Sequence, residues 1–113
     1  MKQIYLAGPM RGIKDFNFPA FHEASKKLRG HGCLVFNPAE YDESVYGVGF
    51  QKSETGDFKD VPQFNLRRAL AADLNFICVA ATAIAILPGW ENSRGVAAEL
   101  VTAKALDLEI IFL

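Results

Sequence analysis

Two carboxylates stand where a globular chain normally keeps apolar side chains. In a helix running from about Ser93 to Leu106, Glu99 follows Val96 by three and precedes Ala103 by four and Leu106 by seven, which places it on the core-facing stripe. Asp73 repeats the pattern, seven after Leu66, three after Leu70 and four before Ile77. A carboxylate on an inward face is costly to desolvate unless it is paired or put to use, and perturbed acids cluster at functional sites. Helical side chains lean toward the N-terminus, so Glu99 should cover the turn at Gly95, which has no side chain to fill the space. Ser93 at the helix start offers a hydroxyl and backbone donors to an anion just above that space. Ser93, Gly95 and Glu99 together predict a site for a small phosphorylated molecule with a carboxylate at its reactive centre.

Competing chemistries lack their residues. His22, within a helix, and His31, in a Gly-His-Gly turn, are the only histidines and have no ligand spacing, so neither a metal nor another cofactor is expected. Ser93 lacks the preceding glycine of a nucleophile elbow. Cys33 and Cys78 form no CxxC pair and read as small buried hydrophobes. Paired acids without metal or histidine point to acid, base or nucleophilic work at an acetal-like carbon.

The elements that must position these groups alternate between strand and helix. Gln3 to Ala7, Cys33 to Phe36, Thr82 to Leu87 and Glu109 to Leu113 read as strands. Helices are expected from Pro19 to Gly30 or Gly32, with Phe21, Ala24 and Leu28 on one face, from Pro62 to Cys78, and from Ser93 to Leu106. Strands this apolar need cover on both faces, so the fold class is α/β, a Rossmann-like or flavodoxin-like parallel sheet of four to five strands sandwiched by helices. Ligands of such sheets bind beyond the carboxyl ends of the strands. That rule selects Gly8 to Gly12 (GPMRG, with Pro9 and Arg11), Asn37 to Glu40 (NPAE) and Pro88 to Gly95 (PGWENSRG, with Trp90 and Arg94). Trp90 is expected either to stack on a flat ring or to cover the end of the sheet. Tyr41 to Val61 reads as an irregular connection, either a lid carrying Tyr41, Tyr46 and Phe50 or a surface loop.

The whole chain, 113 residues with half of them hydrophobic, is one domain spanning 1–113. Twelve basic against thirteen acidic residues give a net charge of −1, with no electrostatic footprint for nucleic acid. The longest apolar run, Phe76 to Leu87, is too short to span a membrane. A cytoplasmic protein with no membrane partner is expected, and nine phenylalanines in so small a domain predict a homodimer or higher homo-oligomer.

YLAGPMRG, DFNFPAF, VFNPAE and ADLNFICVAATAIAILPGWENSRGVAAEL, in that order, resemble the nucleoside 2-deoxyribosyltransferase-like superfamily, most of all its short branch frequent in bacteriophage and prophage genomes. The resemblance implies that Glu99, in the Ser-x-Gly-x-x-x-Glu pattern of Ser93, Gly95 and Glu99, is the nucleophile at an anomeric carbon. It implies that Asp73, before Leu74, helps position sugar and base and manages the leaving group's proton. It further implies that the turn of Gly8, Arg11 and Gly12, with Ser93, holds a 5′-phosphate, and that Tyr5 is the aromatic of the first strand. Ala81 stands where some relatives carry an acid, and Leu113 where they continue toward a dimer neighbour.

The expected function is cleavage or transfer of the N-glycosidic bond of a 2′-deoxynucleoside or its 5′-monophosphate through a covalent deoxyribosyl-enzyme intermediate. Arg94 joins Arg11 and Ser93 at the phosphate. A nucleotide-binding or sensing module that keeps the pocket without turnover is the alternative, and ribonucleotide hydrolysis a third.

Overall fold

Alternation along the first strand, β1 (Gln3–Ala7), sends Ile4 and Leu6 to one face and Tyr5 and Ala7 to the other. In the computed structural model, which describes residues 1–113, every later element falls on one side or the other of that division. The elements continue as α1 (Phe18–Gly30), β2 (Leu34–Phe36), α2 (Pro38–Tyr46), α3 (Leu66–Val79), β3 (Ala83–Ile86), α4 (Arg94–Ala105) and β4 (Glu109–Phe112). Single 3-10 turns lie at Lys14–Asn17, Phe58–Asp60 and Trp90–Asn92.

The four strands form one parallel sheet in the order β2-β1-β3-β4, with Ile4 opposite both Val35 and Ala83, and Ile84 opposite Ile110. Ile4, Leu6, Ala83 and Ala85 pack with Phe18 and Phe21 of α1, while Tyr5, Ile84 and Ile86 pack with Ile77 of α3 and with Val96 and Leu100 of α4. This is a Rossmann-like, flavodoxin-like α/β fold, and its strand order reverses direction between β1 and β3. Loops leaving the carboxyl ends of those two strands diverge and leave a crevice, the place where open α/β sheets bind ligands. No helix is long and apolar enough to cross a membrane.

Four helices are present where the sequence pattern predicts three. The segment read as irregular from Tyr41 begins inside α2, whose start is specified by Asn37 as cap and Pro38 at the first helical position. Asn37, expected at the ligand, is consumed by this task. Its Oδ1 accepts from Ala39 N at 2.9 Å, while its Nδ2 donates to Ser25 Oγ at 3.1 Å and to Phe21 O at 3.4 Å, tying α2 to α1. Helix α3 starts at Leu66 rather than Pro62, capped by Asn65, and its buried residues are Ala69, Asp73 and Ile77. Leu66, expected on the same stripe, is 54% exposed. Cys33 is half-buried and Cys78 exposed, so neither is a core residue.

Replacing Asn37 by Ala removes a helix cap and orphans the buried groups it satisfies. A loss of about 1–3 kcal/mol in stability is expected by urea denaturation. Asn37→Asp, which retains the cap acceptor and loses the amide donors, should fall between the two.

Candidate active site

The first strand and the last helix meet through a polar contact buried under the sheet. Tyr5 is 1% exposed, and its hydroxyl donates to Glu99 Oε2 at 2.8 Å. Glu99 is carried there by α4, whose first turn is set by Ser93, with its Oγ accepting from Val96 N at 3.2 Å. From that start the helical period brings Val96, Glu99, Leu100 and Ala103 inward. Asp73 of α3 lies beside this pair, 9% exposed, with Oδ1 buried and without a hydrogen-bond partner. A side chain on Gly95 would meet only Ser93 Oγ, at 3.9 Å, so the space above Glu99 is open.

That space belongs to a cavity of about 580 Å³, ample for a small organic ligand. Tyr5, Asp73 and Glu99 line its floor. Gly8, Pro9, Arg11 and Gly12 line it after β1, and Ser93, Arg94 and Gly95 line it at the start of α4. Gly8 must be small, since a Cβ there would stand 2.8 Å from Leu87 Cβ. Arg11 is exposed and lies over the Phe58 ring at 4.3 Å. The two arginines and the free N–H groups opening α4 make the mouth of the cavity a place for an anion.

Much of the rest of the lining is aromatic: Phe16, Phe18, Phe50, Phe58 and Phe64 all contribute to it. Phe16 reaches it from a left-handed turn in which Asp15, Phe16 and Asn17 have φ of 52°, 53° and 64°. Three consecutive non-glycine residues in that region cost roughly 1–2 kcal/mol each. Hydrogen bonds hold the turn: Asn17 Nδ2 donates to Pro9 O at 2.9 Å, Asp15 N to Ser53 O at 2.7 Å, and Ser53 N to Asp15 Oδ1 at 2.9 Å. Gly12 N donates to Gly56 O at 3.0 Å, and Gly56, at φ +69°, leaves no room for a Cβ against the Ile13 backbone. The segment expected as lid or loose loop is therefore clipped to the β1 turn. Of its aromatics, Phe50 lines the cavity, Tyr46 packs on Phe50 and Phe64, and Tyr41 stacks on Phe36.

Trp90 does not reach the cavity; its ring packs on Phe112 at 5.6 Å and covers the end of the sheet. Asn37 likewise stands outside it. One acid lining the cavity escaped the sequence reading. Asp42 of α2 is 4% exposed and lines the cavity, three positions after the buried Ala39. Its signal was the Asn37-Pro38 pair, which announces a helix and puts residues 39 and 42 on one face.

Burial dominates the electrostatics. It lifts Glu99 well above the ordinary carboxylate range, the adjacent Asp73 charge adds to this, and the Tyr5 hydroxyl opposes it. Asp73 is raised to about 6 by burial, with Tyr5 and Glu99 pulling the other way. Asp42 is raised to about 7 by burial first and then by the charges of Asp73 and Glu43. Tyr5 is held well above its usual value by burial and by both acids, so its hydroxyl stays a donor. No three acidic, histidine or cysteine side chains converge as metal ligands.

The chain has a Rossmann-like α/β fold, with acids and arginines among the residues lining a cavity large enough for a small molecule. The chain belongs to the family described as Domain of unknown function (DUF4406), whose pattern matches residues 2–112. No curated protein and no solved structure matches it.

Because the three buried acids bind protons more tightly folded than unfolded, stability falls as pH rises from about 5 to about 8. Glu40, lowered by its Arg29 partner, acts in the opposite sense only at more acid pH. Denaturant midpoints measured across this range should decline, and Asp42→Asn should flatten the decline and raise the midpoint at the alkaline end. A stability that climbs with pH above about 5 contradicts the assignment.

Proposed function

We propose that the protein cleaves or transfers the N-glycosidic bond of a 2′-deoxynucleoside or its 5′-monophosphate, with Glu99 as nucleophile. The observation carrying this reading is the Tyr5–Glu99–Asp73 group lying beneath open space at Gly95. The resemblance to the nucleoside 2-deoxyribosyltransferase-like superfamily supports the same reading. The ligand's phosphate occupies the mouth, against Ser93, Arg11 and Arg94, and the sugar lies over Gly95. The base then extends toward the aromatic wall. Exposed Val79, Val101 and Phe112 support the homo-oligomer expected from composition.

Two neighbouring buried acids titrate as a unit, and their burial favours keeping a proton on the pair. Chemistry needs that proton on Asp73 and the charge on Glu99. Tyr5 favours this arrangement by donating to Oε2 and leaving the other oxygen free. That oxygen attacks C1′, forming an ester as the C1′–N bond breaks and its electron pair leaves with the base. Water, or a second base in the transferase case, then displaces Glu99 from C1′. The departing base needs a proton from an acid of the cavity.

Incubation with a panel of deoxynucleosides and their monophosphates should release free base. Glu99→Ala should lower kcat by about a thousandfold or more, and Tyr5→Phe by about a hundredfold. Rate should fall at low pH, where the pair holds two protons, and at high pH, where it holds none. No base release by the wild type, or undiminished release by Glu99→Ala, sinks the proposal. A second reading draws on the raised Glu99, because a protonated acid is no nucleophile: the pocket then binds nucleotide without turnover, and calorimetry shows saturable binding with the ligand recovered intact.

A further inference from the structure

Asp42 is the acid of the cavity to which attack at C1′ gives no task. Helix α2 is held firmly against α1. Asn37 caps it, Arg29 makes two hydrogen bonds to Glu40 at 2.6 and 2.7 Å, and His22 Nε2 stands 3.0 Å from Glu43 Oε1. Its neighbours are α1 and α3. Asp42 is almost wholly buried and lines the cavity, and none of the hydrogen bonds that hold α2 reaches its carboxyl. The charged or titratable groups around it are Asp73 on α3, Glu43 on its own helix, and His22 on α1, which is turned to Glu43. No cation answers it.

The other polar side chains lining the cavity have positions elsewhere. Tyr5, Asp73 and Glu99 form the floor, whereas Arg11, Asn92, Ser93 and Arg94 stand at the mouth. The lining also includes the apolar Phe50, Phe64, Val61 and Leu70. A base reaching this part of the lining can meet the Asp42 carboxyl. Resting on the proposed N-glycosidic chemistry, we infer that Asp42 is the acid that protonates a ring nitrogen of the leaving base, and that this step selects bases bearing an amino group beside that nitrogen.

The selectivity follows from the charge left behind. Before reaction, Asp42 presents an O–H donor next to a carbonyl acceptor, the state that its apolar surroundings and acidic neighbours favour. As the C1′–N bond breaks, its electron pair stays with the base, and the Asp42 proton passes to N7 of adenine or N3 of cytosine. The carboxylate so formed accepts a hydrogen bond from the adjacent amino group, which strengthens as charge develops. Guanine and thymine place a carbonyl oxygen there, and two acceptors repel. The discrimination is therefore made in the transition state and appears in kcat more than in KM. When water resolves the ester, its proton returns to Asp42, its hydroxyl goes to C1′, and Glu99 is released.

The test is steady-state hydrolysis of dAMP, dCMP, dGMP and dTMP by the full chain and two variants, with folding followed by thermal melting. Wild type should favour dAMP or dCMP over dGMP and dTMP by about tenfold or more in kcat/KM, with the rate on amino bases declining as pH rises through about 7. Asp42→Asn, whose amide donates to a carbonyl oxygen but supplies no proton, should lose about a hundredfold in kcat on amino bases. It should also lose the alkaline decline and shift its preference toward the oxo bases. Asp42→Leu should lose rate and discrimination together, while neither variant melts below wild type, since a buried unpaired acid has been removed. Unchanged base preference and pH profile in Asp42→Asn overturn the role of Asp42 alone. Absence of base release from every nucleotide by wild type overturns the glycosidic reading along with it.

Discussion

Removing Glu99 from water is the constraint to which the rest of this structure answers. An ionised carboxylate buried among Ile84, Ile86, Val96 and Leu100 is untenable without a donor, and the Tyr5 hydroxyl is that donor. For Tyr5 to reach it, β1 must lie next to β3, because the helix following β3 carries Glu99. The order β2-β1-β3-β4 meets that requirement and opens the crevice between the same two strands. The scaffold that satisfies the acid is thus also the scaffold that exposes it to a ligand.

Around this centre the cavity brings unlike groups together. Acids, arginines and phenylalanines all line it, in a protein whose net charge is only −1. Any positive potential at the cavity is therefore local, from Arg11, Arg94 and the opening of α4, rather than a long-range field. The strained left-handed turn at Asp15–Asn17 is retained because it places Phe16 in this lining, and the clip to Ser53 and Gly56 meets its cost.

Much of this was legible because Glu99 and Asp73 interrupt regular patterns. Each falls on a helical stripe otherwise apolar, and an interruption is as visible as the pattern itself. Asp42 offered no such contrast, since α2 is nine residues long and largely polar, and tertiary packing rather than periodicity buries it. Asn37 misled because the chemistry that caps a helix is the chemistry that holds a ligand. Leu66 misled because α3 begins late and turns the small Ala69 inward instead. Trp90 is displaced from the site by Phe112, a partner set by the parallel register of β3 and β4, which no local spacing encodes.

Tyr5 and Glu99 are separated by 94 positions, and the strand pairing between β1 and β3 closes almost as long a loop. Contacts of such sequence separation form late, after most of the chain entropy has been surrendered. Until then Glu99 is an ordinary solvated carboxylate, with neither the hydroxyl nor the dry surroundings that set its proton affinity. The proton affinity of Glu99 is thus a property of the assembled sheet and not of the local sequence around it.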